Sequence, residues 1–409
     1  MRITFVLNHI DRVGGVRVAF EYANHLQKRG HDISIVYPAV NLVYLKRLSI
    51  LALAIWTLSK IITNIRNVLR GDRPQPFTTQ SALIKIPALH PRFERSVEKK
   101  VPDADVVIAT AWETAYDVDR FSVKKGQKVY FIQAYEIWDV LNNSECWKEA
   151  KRLRRGDDML TLGIADVIPK QRRLRESKAE VERSYKLPLK KITISNWLKK
   201  LVEDKFGERV EGVIPDGVNF DVFFRESDRR EDDEHVKILL PYSPALSKGF
   251  NDGFNAFRLI QARHPDARFA VFGRKLLVNA ELRKMPEWVE YHNINSDAQL
   301  RELYNDAHVF VSPSWLEGFA LPPMEAMACG CAVVTTDASG FAEYLTNGET
   351  AFVVPIQEPE ALAQSVCILI EDANERRRMA ENGYEFVKRF TWEDAAVKLE
   401  AVLKKNLTT

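Results

Sequence analysis

Residues 317–330 read EGFALPPMEAMACG and set two carboxylates, Glu317 and Glu325, on either side of a turn built with glycine and proline. Before them HVFVSPS reads as a strand running into a loop; after Pro322 and Pro323 the run MEAMA reads as a helix. Proline fixes φ near its helical value, so the pair pre-sets a first helical turn, and Gly318 lets the backbone come close to a ligand. The prolines have no N–H, so the donors available at this helix start are those of 318–321 and 324–325. They lie at the positive end of a helix dipole, a place that suits a diphosphate. Open α/β sheets bind ligands beyond the carboxyl ends of their strands, where this loop stands. Taken singly, each acid has an ordinary explanation. Glu325 in the first turn stabilises the dipole with no ligand at all, and Glu317 is a loop carboxylate in water. As a pair on one strand–loop–helix element they are able to bind polyol hydroxyls bidentately, one on each side of a phosphate cradle.

Two segments could position such a site. RITFVLN reads as a buried strand, Gly14 and Gly15 allow a tight turn, and Ala19, Tyr22, Ala23 and Leu26 recur on one face of a helix that Gly30 ends; the strand DISIVYP follows. VKILLPYS, the loop PALSKGFND, the helical GFNAFRLIQARHPD and the strand ARFAVFG repeat the order. Strand, glycine-bearing loop, helix and strand, used twice, is the pattern of two doubly wound parallel sheets. A boundary falls near IPDGVNFDVFFRESDRREDDEHV, where Pro215, Asp216 and Gly217 signal a turn and the charged stretch 225–235 reads as a solvated linker. Further strands are expected in ADVVIAT, QKVYFIQ, KKITIS, VEYHN, DAHVFVSPS, CAVVTT and TAFVVP. Thr391 is a plausible N-cap for the last segment, and Asp394 three residues on makes an approximate capping box.

The bulk numbers are permissive. A chain of 409 residues, 46% hydrophobic and 28% charged, has material for two or three cores and is not disordered by composition. A net charge of +3 argues against a nucleic-acid binder. Cys146, Cys329, Cys331 and Cys367 fit neither a zinc site nor a disulfide framework and read as free thiols in a reducing compartment. The start MRITFVLNHIDR lacks the apolar core of a signal peptide, so a cytoplasmic protein is expected. In 42–70 the run from Leu48 to Ser59 carries no charge, and Lys46, Arg47, Lys60, Arg66 and Arg70 surround it. It is shorter than the ~20 apolar residues a bilayer span needs. A buried helix explains it, and so does an interfacial helix on an anionic membrane, which Trp56 and the basic flanks favour. Asp103 and Asp105 in VPDADVV form a D-x-D but precede a strand rather than follow one, and no histidines stand at metal-ligand spacing. No metal and no cofactor are expected.

The stretch SPSWLEGFALPPMEAMACGCAVVTTDASGFAEYLTNGETAFVVP resembles the E-x7-E signature region of family 4 glycosyltransferases of the GT-B fold. ISNWLKKLVEDKF with VIPDGVNFDVF is similar to the interdomain stretch of that family, KGFNDGFNAF to its KG loop, and Gly14-Gly15 to its N-terminal glycine loop. The likeness is strong over 192–392 and weak over 40–190.

The resemblance implies two Rossmann-like domains facing a central cleft: 1–215 on the acceptor side, 216–390 binding a nucleotide-sugar donor, and 391–409 as a helix crossing back. It implies that Glu325 takes the ribose hydroxyls, and that Glu317 with Gly318, Phe319, Ala320 and Leu321 holds the sugar and diphosphate. Lys248 would stabilise the departing nucleoside diphosphate without a metal. Two positions depart from the family. Relatives usually carry an Arg about where Pro244 stands, and many have a His where VYFIQAYE offers Gln133 with Glu136 three residues on. Gln133 is able to hydrogen-bond a sugar hydroxyl, and Arg274 could cover the missing cation. The resemblance implies retention; Glu136 is the one candidate carboxylate nucleophile on the acceptor side, and front-face substitution is the favoured route, while 42–70 points to a glycan or lipid-linked acceptor at the membrane's inner face. The rivals are a nucleotide-sugar epimerase or hydrolase on the same fold and a non-catalytic sugar-nucleotide-binding subunit.

Overall fold

The computed structural model describes residues 1–10, 14–41, 79–89, 98–139, 178–226, 235–243, 245–273 and 285–407. The segment 42–70, Cys146, Pro244 and Arg274 lie outside the described residues.

Two parallel sheets carry the fold. The first has seven strands in the order β3-β2-β1-β4-β5-β6-β7: β1 (Arg2–Val6), β2 (Asp32–Asn41), β3 (Ala82–Leu89), β4 (Val106–Ala109), β5 (Gln127–Ile132), β6 (Lys190–Thr193) and β7 (Val210–Val213). The second has six in the order β10-β9-β8-β11-β12-β13: β8 (Lys237–Pro241), β9 (Arg268–Gly273), β10 (Val289–Asn293), β11 (Val309–Ser312), β12 (Ala332–Thr336) and β13 (Phe352–Val354). Register is set through the central strands, with Ile3 beside Ile33 and Val106, and Val309 beside Ile238 and Ala332. Both sheets reverse direction at a switch point, between β1 and β4 and between β8 and β11. Strands covered on both faces must be apolar throughout, and β4 and β12 are buried at every residue. This is the GT-B architecture, two doubly wound sheets facing a cleft.

The strands at the outer edges of the first sheet, β3 and β7, are additions to the sequence reading. An edge strand is half covered and needs no unbroken apolar run, and VEGV in β7 shows none. The halves are joined twice by segments that run side by side. The Val218 N–H donates to the Phe390 carbonyl at 2.9 Å, and a Cβ on Gly217 would stand 2.3 Å from the Trp392 nitrogen. The helix Trp392–Leu407 then packs on the helix Gly14–Lys28: Tyr22 meets Trp392 edge to face, and Arg29 pairs with Glu393 and Glu400. At its start the Thr391 hydroxyl accepts the Asp394 N–H at 3.1 Å and lies 2.9 Å from the Asp394 carboxylate.

Gly14 and Gly15 differ from the expected tight turn. Both sit in the first turn of the helix Gly14–Lys28, neither with a positive φ. At Gly15 the space is tight, since a Cβ would stand 3.2 Å from the Gln133 side-chain oxygen, whereas a Cβ on Gly14 would meet nothing within 4 Å.

Candidate functional site

The residues that follow β1, β4 and β5 face the loops that follow β8 and β11 across a cleft of about 470 Å³. Gly14, Gly15, Gln133 and Glu136 line one wall, and Lys248 with Glu317 through Leu321 the other. A second hollow of about 480 Å³ opens elsewhere, between Glu21, Asn219 and Glu393, away from these residues.

The loop after β11 is held from three sides. Glu317 accepts from the Lys248 ammonium through both oxygens at 2.7 Å and from the Ser314 hydroxyl at 2.7 Å. The Gly318 carbonyl accepts from the Trp197 indole N–H at 3.0 Å, and a Cβ on Gly318 would lie 1.9 Å from the Gln133 carbonyl oxygen, so only glycine fits between the halves. Ala320, the N-cap of the helix Leu321–Ala328, has φ +72°. That conformation is strained for alanine; the Tyr344 hydroxyl, donating to the Ala320 carbonyl at 2.8 Å, holds it. The strain turns the chain so that the helix begins with its N-terminus against the cleft, and Pro322 and Pro323 occupy its first turn.

Lys248 ends a short turn, Leu246–Lys248, and Gly249 behind it has φ +61° with no space for a Cβ, which would meet the Pro313 carbonyl at 1.9 Å. The Trp315 N–H donates to the Ser247 carbonyl at 2.7 Å, and the Trp315 indole donates to Asp252 at 2.6 Å. The loops after β8 and β11 are therefore one fixed unit.

Glu325 lies one turn into its helix with a side chain 7% exposed. It is not a free acid at a helix start. Arg17, from the first sheet's domain, donates one guanidinium nitrogen to Glu325 and another to Asp297. The Tyr304 hydroxyl lies 3.4 Å from the second Glu325 oxygen, and Arg17 stacks 5.3 Å over the Phe223 ring. Asp297 and Tyr304 share the helix Asp297–Asp306, seven residues apart on one face. Burial pushes the Glu325 carboxyl above its usual range, against the pull of Arg17.

On the first wall, Glu136 accepts the Trp112 N–H at 2.7 Å and the Tyr130 hydroxyl at 3.0 Å. Its carboxylate thus caps the helix Trp112–Arg120. The Gln133 side-chain oxygen is buried without a hydrogen-bond partner. The D-x-D lies at the opposite end of the sheet, Asp103 paired with Lys125 and Asp105 with Arg2. Among the described residues no three of His, Cys, Asp or Glu gather as a metal site, and Cys329, Cys331 and Cys367 are buried and not joined in disulfides.

Sequence reasoning missed Arg17, Asp297 and Asp216. Arg17 left one signal: a cation in the first helical turn opposes the dipole, and here it stands between the buried Val16 and Val18. Asp216 left none. It borders the cleft, 3% exposed, with one carboxylate oxygen sealed and unpartnered, and burial pushes its carboxyl well above the ordinary range. A raised carboxyl holds its proton more tightly in the folded chain, so stability is fullest below the ordinary Asp range (~4) and falls as pH rises toward the raised value. Asp216→Asn removes that loss. It is expected to melt about 2–4 °C above the parent at pH 7, the shift of ~1 kcal/mol in a domain of this size, and level with it near pH 4. Melting curves across that range, equal at pH 7, would show the carboxyl is not held uncharged.

Comparison with known proteins adds the following. Residues 224–386 match the sequence model of the glycosyl transferases group 1 family. The capsular polysaccharide biosynthesis glycosyltransferase CapM of Staphylococcus aureus is 24% identical over 208 residues, 46% of this chain and 54% of CapM. The lipopolysaccharide core biosynthesis mannosyltransferase LpcC of Rhizobium leguminosarum bv. viciae is 38% identical over 105 residues, 25% of this chain and 30% of LpcC. The match to CapM thus spans about half of that relative's length. HepE of Anabaena, solved with UDP and glucose, superposes over 99% of this chain and 100% of its own with a TM-score of 0.69 at 15% identity. At that identity the likeness is one of fold.

Proposed function

We propose that this chain is a glycosyltransferase that moves a sugar from a nucleoside-diphosphate sugar to a growing glycan or lipid-linked acceptor, with retention and without a metal. One observation carries the reading. Lys248 and Glu317, joined at 2.7 Å, stand at a helix N-terminus on one wall of a cleft whose other wall holds Gln133 with an unpartnered oxygen. A departing diphosphate develops negative charge, and a fixed cation with oriented N–H groups offsets it. Glu317 and Glu325 then address sugar and ribose, Gly318 to Leu321 the diphosphate, and Gln133 a sugar or acceptor hydroxyl. Glu136, already holding two donors, positions the Trp112–Arg120 helix rather than attacking carbon. Asp216, which also lines the cleft, is held toward its protonated, non-nucleophilic form by burial, so among the described residues front-face substitution is the mechanism we favour; a covalent glycosyl-enzyme seen by mass spectrometry would overturn it.

The test is a thermal-shift screen against UDP-, GDP-, dTDP- and ADP-sugars. A ligand that binds only the folded state stabilises it by ~2.7 kcal/mol at a hundred times its dissociation constant, and no shift with any of them sinks the assignment. Relatives named for capsule and lipopolysaccharide synthesis support an acceptor in surface-glycan assembly. The apolar, basic-flanked 42–70 supports a place on the inner face of the membrane. Among the described residues no helix is long and apolar enough to cross a bilayer; in 42–70 the uncharged run from Leu48 to Ser59 is itself shorter than the ~20 residues of a span, which favours a peripheral association. Flotation with anionic liposomes checks it: failure to float removes the membrane from the proposal.

A further inference from the structure

Among the described residues two cations stand at or beside the cleft, Lys248 in its lining and Arg17 next to the lining residues Val16 and Val18, and each rests on an acid that the proposed function gives to the donor. Lys248 is held by Glu317, and Arg17 by Glu325 and Asp297. Among the described residues these pairs set three carboxylates against two cations. A diphosphate brought beside it meets net negative charge unless the cations turn toward the phosphates. Lys248 is 43% exposed and has freedom to turn. Arg17 is 14% exposed and stacked on Phe223, but its partner Glu325 is the acid whose second role is to take the ribose. Arg17 also stands where helix physics disfavours it, in the first turn of the helix Gly14–Lys28 and next to Gly14, Gly15 and Val16, which line the cleft. Leu321 and Pro322, which line the cleft opposite, are one helical turn (~5.4 Å) from Glu325. The planar fork of arginine matches phosphate oxygens as it matches carboxylates.

We infer that Arg17 is the second cation of the diphosphate site, supplied by the opposite domain: ribose hydroxyls take Glu325 from it, and its guanidinium passes to the diphosphate. The inference rests on the glycosyltransferase reading of the same cleft. It gives donor binding a mechanical consequence, since the diphosphate then joins the two halves through Arg17 on one side and Lys248 on the other. Arg17 is a positioning residue in the empty cleft and a ligand in the filled one.

Arg17→Gln and Arg17→Lys distinguish these roles by calorimetric titration with UDP, GDP, dTDP and ADP and with the four corresponding nucleosides. For whichever diphosphate the parent protein binds, Arg17→Gln is expected to weaken it about 10- to 100-fold, the loss of a charge-assisted hydrogen-bond pair. Binding of the matching nucleoside stays level or tightens, because Glu325 is no longer held. Arg17→Lys keeps the charge without the fork and falls between. Ligand-free melting curves report whether each variant is folded, and the lysine variant carries the test if the glutamine variant is not. Equal weakening, or equal strengthening, of diphosphate and nucleoside overturns the inference and leaves Arg17 as an interdomain ion pair. If the parent binds none of the four diphosphates, the functional reading itself falls.

Discussion

Replacing Glu325 by alanine is expected to weaken nucleoside-diphosphate-sugar binding by at least ~100-fold. Two ribose hydroxyls donating to one carboxylate make two charge-assisted bonds of ~1.5–3 kcal/mol each, and each 1.4 kcal/mol is tenfold. The site amplifies this, since Glu325 is 7% exposed and water has little access to replace it. Stability moves in the same experiment. Arg17 keeps Asp297 as its partner after the substitution, so the loss is expected to be smaller than the ~3–5 kcal/mol of a buried pair left with one charge alone. Glu325→Gln preserves volume and one acceptor, and an intermediate loss of about tenfold is expected from the missing charge. The pH dependence has a fixed sign. Burial raises the Glu325 carboxyl, so donor affinity, which needs the carboxylate, falls on acidification before an ordinary glutamate would protonate. Titration of the three proteins with the donor found by thermal shift decides it. An alanine variant that binds like the parent places the ribose elsewhere.

How far the chain announced this site depends on whether a feature is local. The central strands β1, β4, β8, β11 and β12 are apolar because both their faces are covered, and that pattern lies in consecutive residues. β7 is an edge strand whose VEGV carries no apolar run to announce it; β3, the other edge, reads ALIKIPAL, and its apolar residues did offer a signal that the sequence reading passed over. Glu317, Gly318 and Glu325 share one short stretch, so their spacing was readable. The partner of Glu325 was not, because Arg17 lies 308 positions away and only the closed pair of domains brings them together. Gly14 and Gly15 were legible as a pair, though the reason assigned, a tight turn, differs from what the fold shows, a helical turn with Gly15 close to Gln133 and open space at Gly14. The strain at Ala320 is invisible in sequence. Alanine gives no warning of a positive φ, and only Tyr344, two dozen residues later, shows what holds it.

Replacing Lys248 by alanine is expected to act on turnover more than on binding. The cation matters most when the sugar–phosphate bond breaks and charge gathers on the leaving diphosphate. Removing one preorganised group of that kind costs ~10²–10³ in kcat, or ~2.7–4 kcal/mol. The position is fixed by backbone: Gly249 against the Pro313 carbonyl and the Ser247–Trp315 bond leave the lysine root no other place. A second effect hides in the alanine variant. It strips Glu317 of its cation and leaves that carboxylate, held then by Ser314, beside the incoming phosphates. Like-charge repulsion weakens donor binding for a reason unrelated to catalysis. Pairing Lys248→Ala with Glu317→Gln separates the two, since residues in direct contact do not add. Because Glu317 is itself assigned to the sugar, steady-state kinetics of the double variant are read against Glu317→Gln alone, and should bring donor KM to that single variant's value while kcat stays below it. Were kcat to recover with it, the lysine would be neutralising Glu317 and nothing more, and the charge at the leaving diphosphate would have to be met by Arg17 and the helix N-terminus alone.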